Sequence, residues 1–205
     1  MRKQIVLIRW WEVKENHKDY YEYLEKQEYD PYRESTKRWN RNLQETLWDN
    51  NFEVFSLSMP NRHFADYKAW KIVFEKVFPY LKDKVIFIWH SLWWWFLLKY
   101  FNEEADKLLL DKVEKIILVA PAVKDILGDL IWTFKFDLNL NKVKKLEDKI
   151  IIFSSKDDPV VPFSHTEDIQ KSLSKSEYKI FENKWHFLQE EFPELIDYLN
   201  SLNNK

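Results

Sequence analysis

The chain has 205 residues, with 32 Lys and Arg against 34 Asp and Glu, no cysteine, one glycine and eleven tryptophans. The absence of cysteine excludes disulfides, Fe–S clusters and thiol catalysis, and a net charge of −2 gives no basis for nucleic acid or an anionic membrane surface as partner. A chain of this length usually carries about 14 glycines, so the single glycine excludes an ordinary loop-rich composition.

The length suits one domain spanning 1–205, since about 100–200 residues per domain is usual. The N-terminal apolar run, Ile5 to Ile8, stops at Arg9 and is too short for a signal-peptide core. The longest apolar stretch, Leu92 to Leu98, falls well below the roughly 18 residues of a membrane span. A soluble, cytoplasmic protein is the expectation.

In chain order, the runs IVLIR (5–9), FEVFSLS (52–58), KVIFIW (84–89), KIILVA (115–120) and KIIIFSS (149–155) are predicted strands, with a weaker one, EYKIF, at 177–181. Several are continuously apolar rather than alternating, the pattern of parallel strands covered on both faces. Helical spacing lies between them: Trp39, Leu43 and Leu47; Trp70, Val73, Phe74 and Val77; Leu97, Leu98 and Phe101. A closing helix carries Phe192, Leu195, Ile196 and Leu199. This alternation predicts an α/β fold, a three-layer α/β/α sandwich around a mostly parallel sheet of about six strands. Two stretches fit less well, the tyrosine-rich 12–36 and the mixed 121–148. Each follows a strand, where loops line the ligand crevice of an open sheet. Each is therefore a candidate site-walling insertion, with a solvated insertion the alternative for 12–36.

The chemistry concentrates in KVIFIWHSLWWWFLLKYF (84–101), a strand, then His90-Ser91-Leu92, then a helix. A serine at such a junction is placed either as a nucleophile, with the free N–H groups of the helix start near its reacting partner, or as a plain helix N-cap. Two further segments bear on the choice. SSKDDPVVP (154–162) puts Asp157 and Asp158 in a loop after the fifth strand, and NKWHF puts His186 after the last one. Serine, carboxylate and histidine would suffice for attack on an acyl carbon if the fold brought them together. His90 reads as structural, and His63 and His165 as surface or capping residues at helix starts. No histidine pair has metal-ligand spacing, and Gly128 stands alone, so no phosphate-cradling loop is present. No cofactor and no metal are expected.

Taken together, WHSLWW, SKDDPVVP and NKWHF resemble the elbow, acid and histidine segments of an α/β-hydrolase, specifically the small serine hydrolases of the retinoblastoma-binding protein 9 type. VLIRWWE resembles that family's loop after the first strand, and SMPN (58–61) its Met-Pro turn after the second. The resemblance implies an α/β-hydrolase fold with little or no lid, acting on a small ester or amide through an acyl-enzyme. It implies Ser91, Asp158 and His186 as the triad, with Asp157 as the fallback acid because the D-x-x-V-P pattern starts at Asp158. It implies oxyanion N–H groups at Leu92 and at Trp10 or Trp11. A small-molecule substrate is the expected partner, without nucleic acid or membrane, and no protein partner is readable. Phe134, Phe136 and Phe163 are candidates for an acyl pocket. The alternative is a non-catalytic protein-binding module on the same fold.

The family's elbow pattern is G-x-S-x-G, and here Trp89 and Trp93 stand at its glycine positions. Trp10, Trp11, Trp94 and Trp185 also occupy family glycine positions, Trp48 reads as a turn glycine and Trp132 as another. Trp39, Trp70 and Trp95, by contrast, lie on apolar helix faces. A gene that writes glycine as UGA, as some bacterial lineages do, read with a table that gives tryptophan, accounts for this selectivity. A deliberate glycine-to-tryptophan redesign would give the same letters. Codon sequencing decides it: UGA is expected at 10, 89, 93 and 185, and UGG there would sink the idea.

Overall fold

The computed structural model describes residues 2–8, 13–14, 16–27, 38–61, 63–91, 94–104, 109–123 and 143–203. Six strands form one sheet: β1 (Lys3–Ile8), β2 (Phe52–Leu57), β3 (Val85–His90), β4 (Val113–Val119), β5 (Ile150–Ser155) and β6 (Glu177–Phe181). Their order across the sheet is β2-β1-β3-β4-β5-β6, and every neighbouring pair is parallel. The chain builds outward from β1 to β2, then returns to the other side of β1 to lay down β3. That reversal creates a switch point between β1 and β3, where open α/β sheets hold their ligands beyond the carboxyl ends of the strands.

Both faces of the sheet are covered, which explains the unbroken apolar runs. Side chains alternate between two cores. Val6, Ile8, Phe87 and Trp89 point to one, with Trp70 and Phe74 of α3 (Tyr67–Glu75) and Phe96 of α4 (Trp94–Glu104). Ile5, Leu7, Ile86 and Ile88 point to the other, with Trp39 and Leu43 of α2 (Trp39–Thr46) and Leu195 and Leu199 of α7 (Pro193–Asn203). α3 starts where Asp66 accepts a hydrogen bond from the Ala69 N–H at 2.8 Å, satisfying one of the free donors of its first turn.

The predicted strands and amphipathic helices all appear, with ends displaced by a residue or two. Three helices lacked a readable pattern: α1 (His17–Lys26), α5 (Leu109–Lys112) and α6 (Ser164–Ser172). α1 buries none of its residues, so it carries no apolar stripe to read. It is held instead by Asn16, which caps the Asp19 N–H at 3.0 Å, and by rings. Tyr20 packs on His63 and Phe64, with centroids 5.0 and 5.7 Å away, so α1 lies on the turn after β2, at the carboxyl end of the sheet. Trp48 is not the left-handed residue of the turn before β2. That residue is Asn51, at φ 63°, whose short polar side chain tolerates the conformation; Trp48 lies half-exposed with the Arg2 guanidinium 4.3 Å from its ring.

Phe74 is fully buried among Phe78, Phe87, Trp89, Phe96 and Tyr100. Its truncation to Ala leaves a void between α3 and β3 that rigid neighbouring rings cannot fill. A loss of about 3–5 kcal/mol is expected, read from urea midpoints at unchanged slope.

Candidate active site

Ser91 follows the last residue of β3, at the switch point, and is left-handed with φ 62°. A non-glycine residue held there costs about 1–3 kcal/mol and persists only where the surroundings over-determine it. The conformation is that of a sharp strand-to-helix turn, with α4 beginning three residues on. Ser91 is 1% exposed.

The loop between β6 and α7 brings His186 to the same place. His186 Nε2 is 2.8 Å from Ser91 Oγ. Its Nδ1 is 2.8 Å from Asp158 Oδ2 and 3.1 Å from Oδ1. The acceptor at Nδ1 is a carboxylate, so that nitrogen carries the proton of the neutral ring and Nε2 is left to accept from the serine hydroxyl. Asp158 is itself fixed, because its Oδ1 accepts from the Val160 and Val161 N–H groups at 2.8 and 2.9 Å. The Pro159 turn supplies both donors. Ser91, Asp158 and His186 therefore form one hydrogen-bonded line, all of it buried.

Asp157 faces another task. Its Oδ1 accepts from Ser155 Oγ at 2.6 Å and from the Trp185 N–H at 2.9 Å. The Ser155 hydrogen bond above all, aided by the backbone donors, holds its carboxyl below the usual range. Ser155 Oγ accepts in turn from the Lys184 N–H at 2.9 Å. The histidine loop is thus gripped from the β5 side at two successive amides, one residue short of His186.

Its other grip comes from α2 and β3. Trp39 donates its indole N–H to the Phe187 carbonyl at 2.8 Å and its backbone N–H to the Gln189 carbonyl at 3.1 Å. His90 donates Nε2–H to the His186 carbonyl at 2.9 Å. The loop needs these anchors because Trp185 and Phe187, on either side of His186, are both left-handed, at φ 50° and 53°.

A profile for the serine hydrolase family matches residues 31–193, most of the chain. The chain belongs to the serine hydrolase family. The sheet order and the covering helices make this serine hydrolase an enzyme of the α/β-hydrolase type. Among solved structures, the ydeN gene product of B. subtilis is similar over 99% of this chain and 100% of that one, with a TM-score of 0.72 at 20% identity. Est1E from Butyrivibrio proteoclasticus aligns over 98% of this chain and 87% of its own, with a TM-score of 0.61 at 13% identity. A monoacylglycerol lipase from Paleococcus ferrophilus aligns over 98% and 91%, with a TM-score of 0.55 at 12% identity. At these identities the likeness is one of fold. No curated protein sequence matches the chain significantly. Among the described residues, no helix is long and apolar enough to cross a membrane.

Leu92, Trp10 and Trp11, expected as oxyanion donors, lie outside the described residues, as do Trp93, Gly128, Trp132, Phe134 and Phe136. Phe163 is half-buried at the N-cap of α6. His165 is not a surface residue. It is buried in α6, where its Nδ1 accepts from the Val123 N–H at 3.1 Å. Of the residues that hold the histidine loop, sequence reasoning missed Ser155 and the loop contacts of Trp39 and His90. One signal was present for His90: it shares strand parity with Ile86 and Ile88, so it faces the α2 layer, with its ring 5.9 Å from that of Trp39.

His90 is fully buried, and burial first, then the neighbouring His186, pushes it down to about 3; its bond to the His186 carbonyl opposes the shift and Arg38 adds to it. Unfolding returns it to its ordinary value of 6.5, so between those two values the unfolded chain binds the extra proton. Its contribution to stability is complete above about pH 6.5 and is lost as pH falls toward 3, by at most about 1.4 kcal/mol per unit. Urea unfolding across this window should show that slope, and His90→Gln should flatten it. Identical slopes in the two proteins would refute the assignment.

Proposed function

We propose that the chain cleaves a small ester or amide through an acyl-enzyme intermediate, with Ser91 as nucleophile, His186 as general base and acid, and Asp158 as the acid that orients the imidazole. The observation that carries this reading is the unbroken line from Asp158 through His186 to Ser91, at 2.8 Å on each side of the ring. Ser91 Oγ attacks the acyl carbon as its proton passes to His186 Nε2. The imidazolium is stabilised by Asp158 and returns the proton to the leaving alkoxide or amine. Water then repeats the sequence on the acyl-serine. The developing oxyanion would be met by the Leu92 N–H and by the backbone at Trp10 or Trp11. The stretches 12–36 and 121–148 would wall the pocket within a single domain spanning 1–205. Membership of the retinoblastoma-binding protein 9 type rests on the motif resemblance of the elbow, acid and histidine segments.

The reading also takes seven of the tryptophans, Trp48 being set aside by Asn51, as glycine positions written through UGA. Two observations support it. Trp185 is left-handed and 64% exposed, a conformation in which glycine meets no Cβ penalty and an indole gains no packing. Trp89 is fully buried against Phe96, with centroids 5.6 Å apart, and its indole N–H has no partner among the described residues, an omission costing about 1–3 kcal/mol. A chain carrying tryptophan at 10, 11, 89, 93, 94, 132 and 185 should be poorly folded and inactive, and the glycine form should be a soluble hydrolase. Ester hydrolysis by the tryptophan form, abolished by Ser91→Ala, would contradict this.

A fluorophosphonate probe should label the active form at Ser91, and Ser91→Ala should abolish both labelling and turnover of p-nitrophenyl esters. Asp158→Asn should lower kcat by about 10⁴-fold. Asp157→Asn, which only loosens the loop, should cost below about 10²-fold. Equal losses for the two acids would reassign the orienting role. Absence of labelling in the glycine form would favour a non-catalytic binding module.

A further inference from the structure

His90 is the residue whose placement the reaction scheme leaves unused. It immediately precedes the nucleophile, it is fully buried, and its ring lies 5.1 Å from that of His186, tilted by 31°. Its Nε2 meets the His186 carbonyl at 2.9 Å, which fixes the tautomer with hydrogen on Nε2. Nδ1 is then a buried acceptor with no partner among the described residues. A site that only needed volume would be better filled by an apolar ring, because the orphaned nitrogen is a standing penalty. What the imidazole adds is one donor, aimed at the backbone of the loop histidine.

That contact controls direction. His186 lies between two left-handed residues, so its Cα–Cβ vector depends on how the neighbouring peptide planes are set. Trp39 fixes the Phe187 carbonyl and Asp157 the Trp185 amide. Of the two planes between them, that of the His186 carbonyl is held at its oxygen by His90 and at its Phe187 N–H by the Lys184 carbonyl, 3.0 Å away, so His90 is the side-chain hold on it. The donor must also be neutral. A cation at this separation would oppose the imidazolium that forms on His186 during the reaction. The groups facing His90 are His186 from the loop, with Arg38 and the Trp39 ring from the α2 side; burial and the two basic groups all oppose its protonation. A lysine or arginine could supply a donor, but only as a charge.

We propose that His90 is a positioning residue of the hydrolytic site: its Nε2–H fixes the His186 carbonyl and thereby aims the His186 ring at Ser91. This rests on the serine hydrolase reading for its kinetic consequence, though not for its structural one. Nucleophile and base are then tied together twice, through side chains at Ser91 and through the backbone at His90.

The test compares His90→Phe, which keeps a ring and removes the donor, with His90→Gln, whose amide can still donate. The full-length protein, with the residues its own gene specifies, is titrated with a fluorophosphonate so that rates are expressed per labelled site. His90→Phe should lower kcat per site by about 10²-fold, the scale of a small misplacement of a catalytic group, with KM little changed. It should also weaken the far-downfield proton resonance of His186 Nδ1–H hydrogen-bonded to Asp158. His90→Gln should restore both. The proposal is overturned by full kcat per site in His90→Phe, by equal defects in the two variants, or by a loss confined to the number of labelled sites. If the parent protein is not labelled at all, the hydrolase reading fails on its own. The downfield resonance then decides alone: its survival in His90→Phe overturns the positioning role, and its loss there with retention in His90→Gln supports it.

Discussion

The constraint on which the site depends is the left-handed backbone on either side of His186. Trp185 and Phe187 both hold positive φ, and neither conformation is one that a bulky residue adopts unaided. The cost is met by hydrogen bonds from three parts of the fold. β5 and the turn after it hold the Lys184 and Trp185 amides through Ser155 and Asp157. β3 holds the His186 carbonyl through His90, and α2 holds Phe187 and Gln189 through Trp39. Ser91, itself left-handed, meets the ring from the carboxyl end of β3. Strain on both partners is tolerated because the sheet beneath them is buried on both faces and does not yield.

This arrangement explains why two adjacent acids occupy one loop. Asp158 turns inward to the imidazole and to the Val160 and Val161 amides, while Asp157 turns to the backbone of the histidine loop. One orients the side chain and the other the main chain that carries it.

Legibility in the sequence follows burial. The strands could be read because both faces are covered, which leaves continuous runs such as Ile150 to Phe153 with no polar interruption. α2, α3 and α7 could be read because each presents one apolar stripe to a core, and α4 because it is apolar almost all round. α1 could not, since it is held by a cap and by rings rather than by burial. The candidate site divides in the same way. Ser91, Asp158 and His186 were legible through motif resemblance, which is chemistry written at fixed spacing. Ser155, His90 and the indole N–H of Trp39 act on the loop from segments 29 to 148 residues away, and no local pattern announces contacts of that range. The turn before β2 taught a smaller lesson: composition suggested Trp48, but geometry chose Asn51.

The sheet order has a bearing on how the protein comes into being. After β3, the remaining strands are added outward in the order they are synthesised, and domains are made from the N-terminus. Ser91 therefore leaves the ribosome before Asp158, and Asp158 before His186. On the proposed mechanism, a nascent chain that has not yet released residue 186 would carry the Ser91 hydroxyl without the imidazole that activates it. Reactivity would then appear only once β6 and the loop after it are in place.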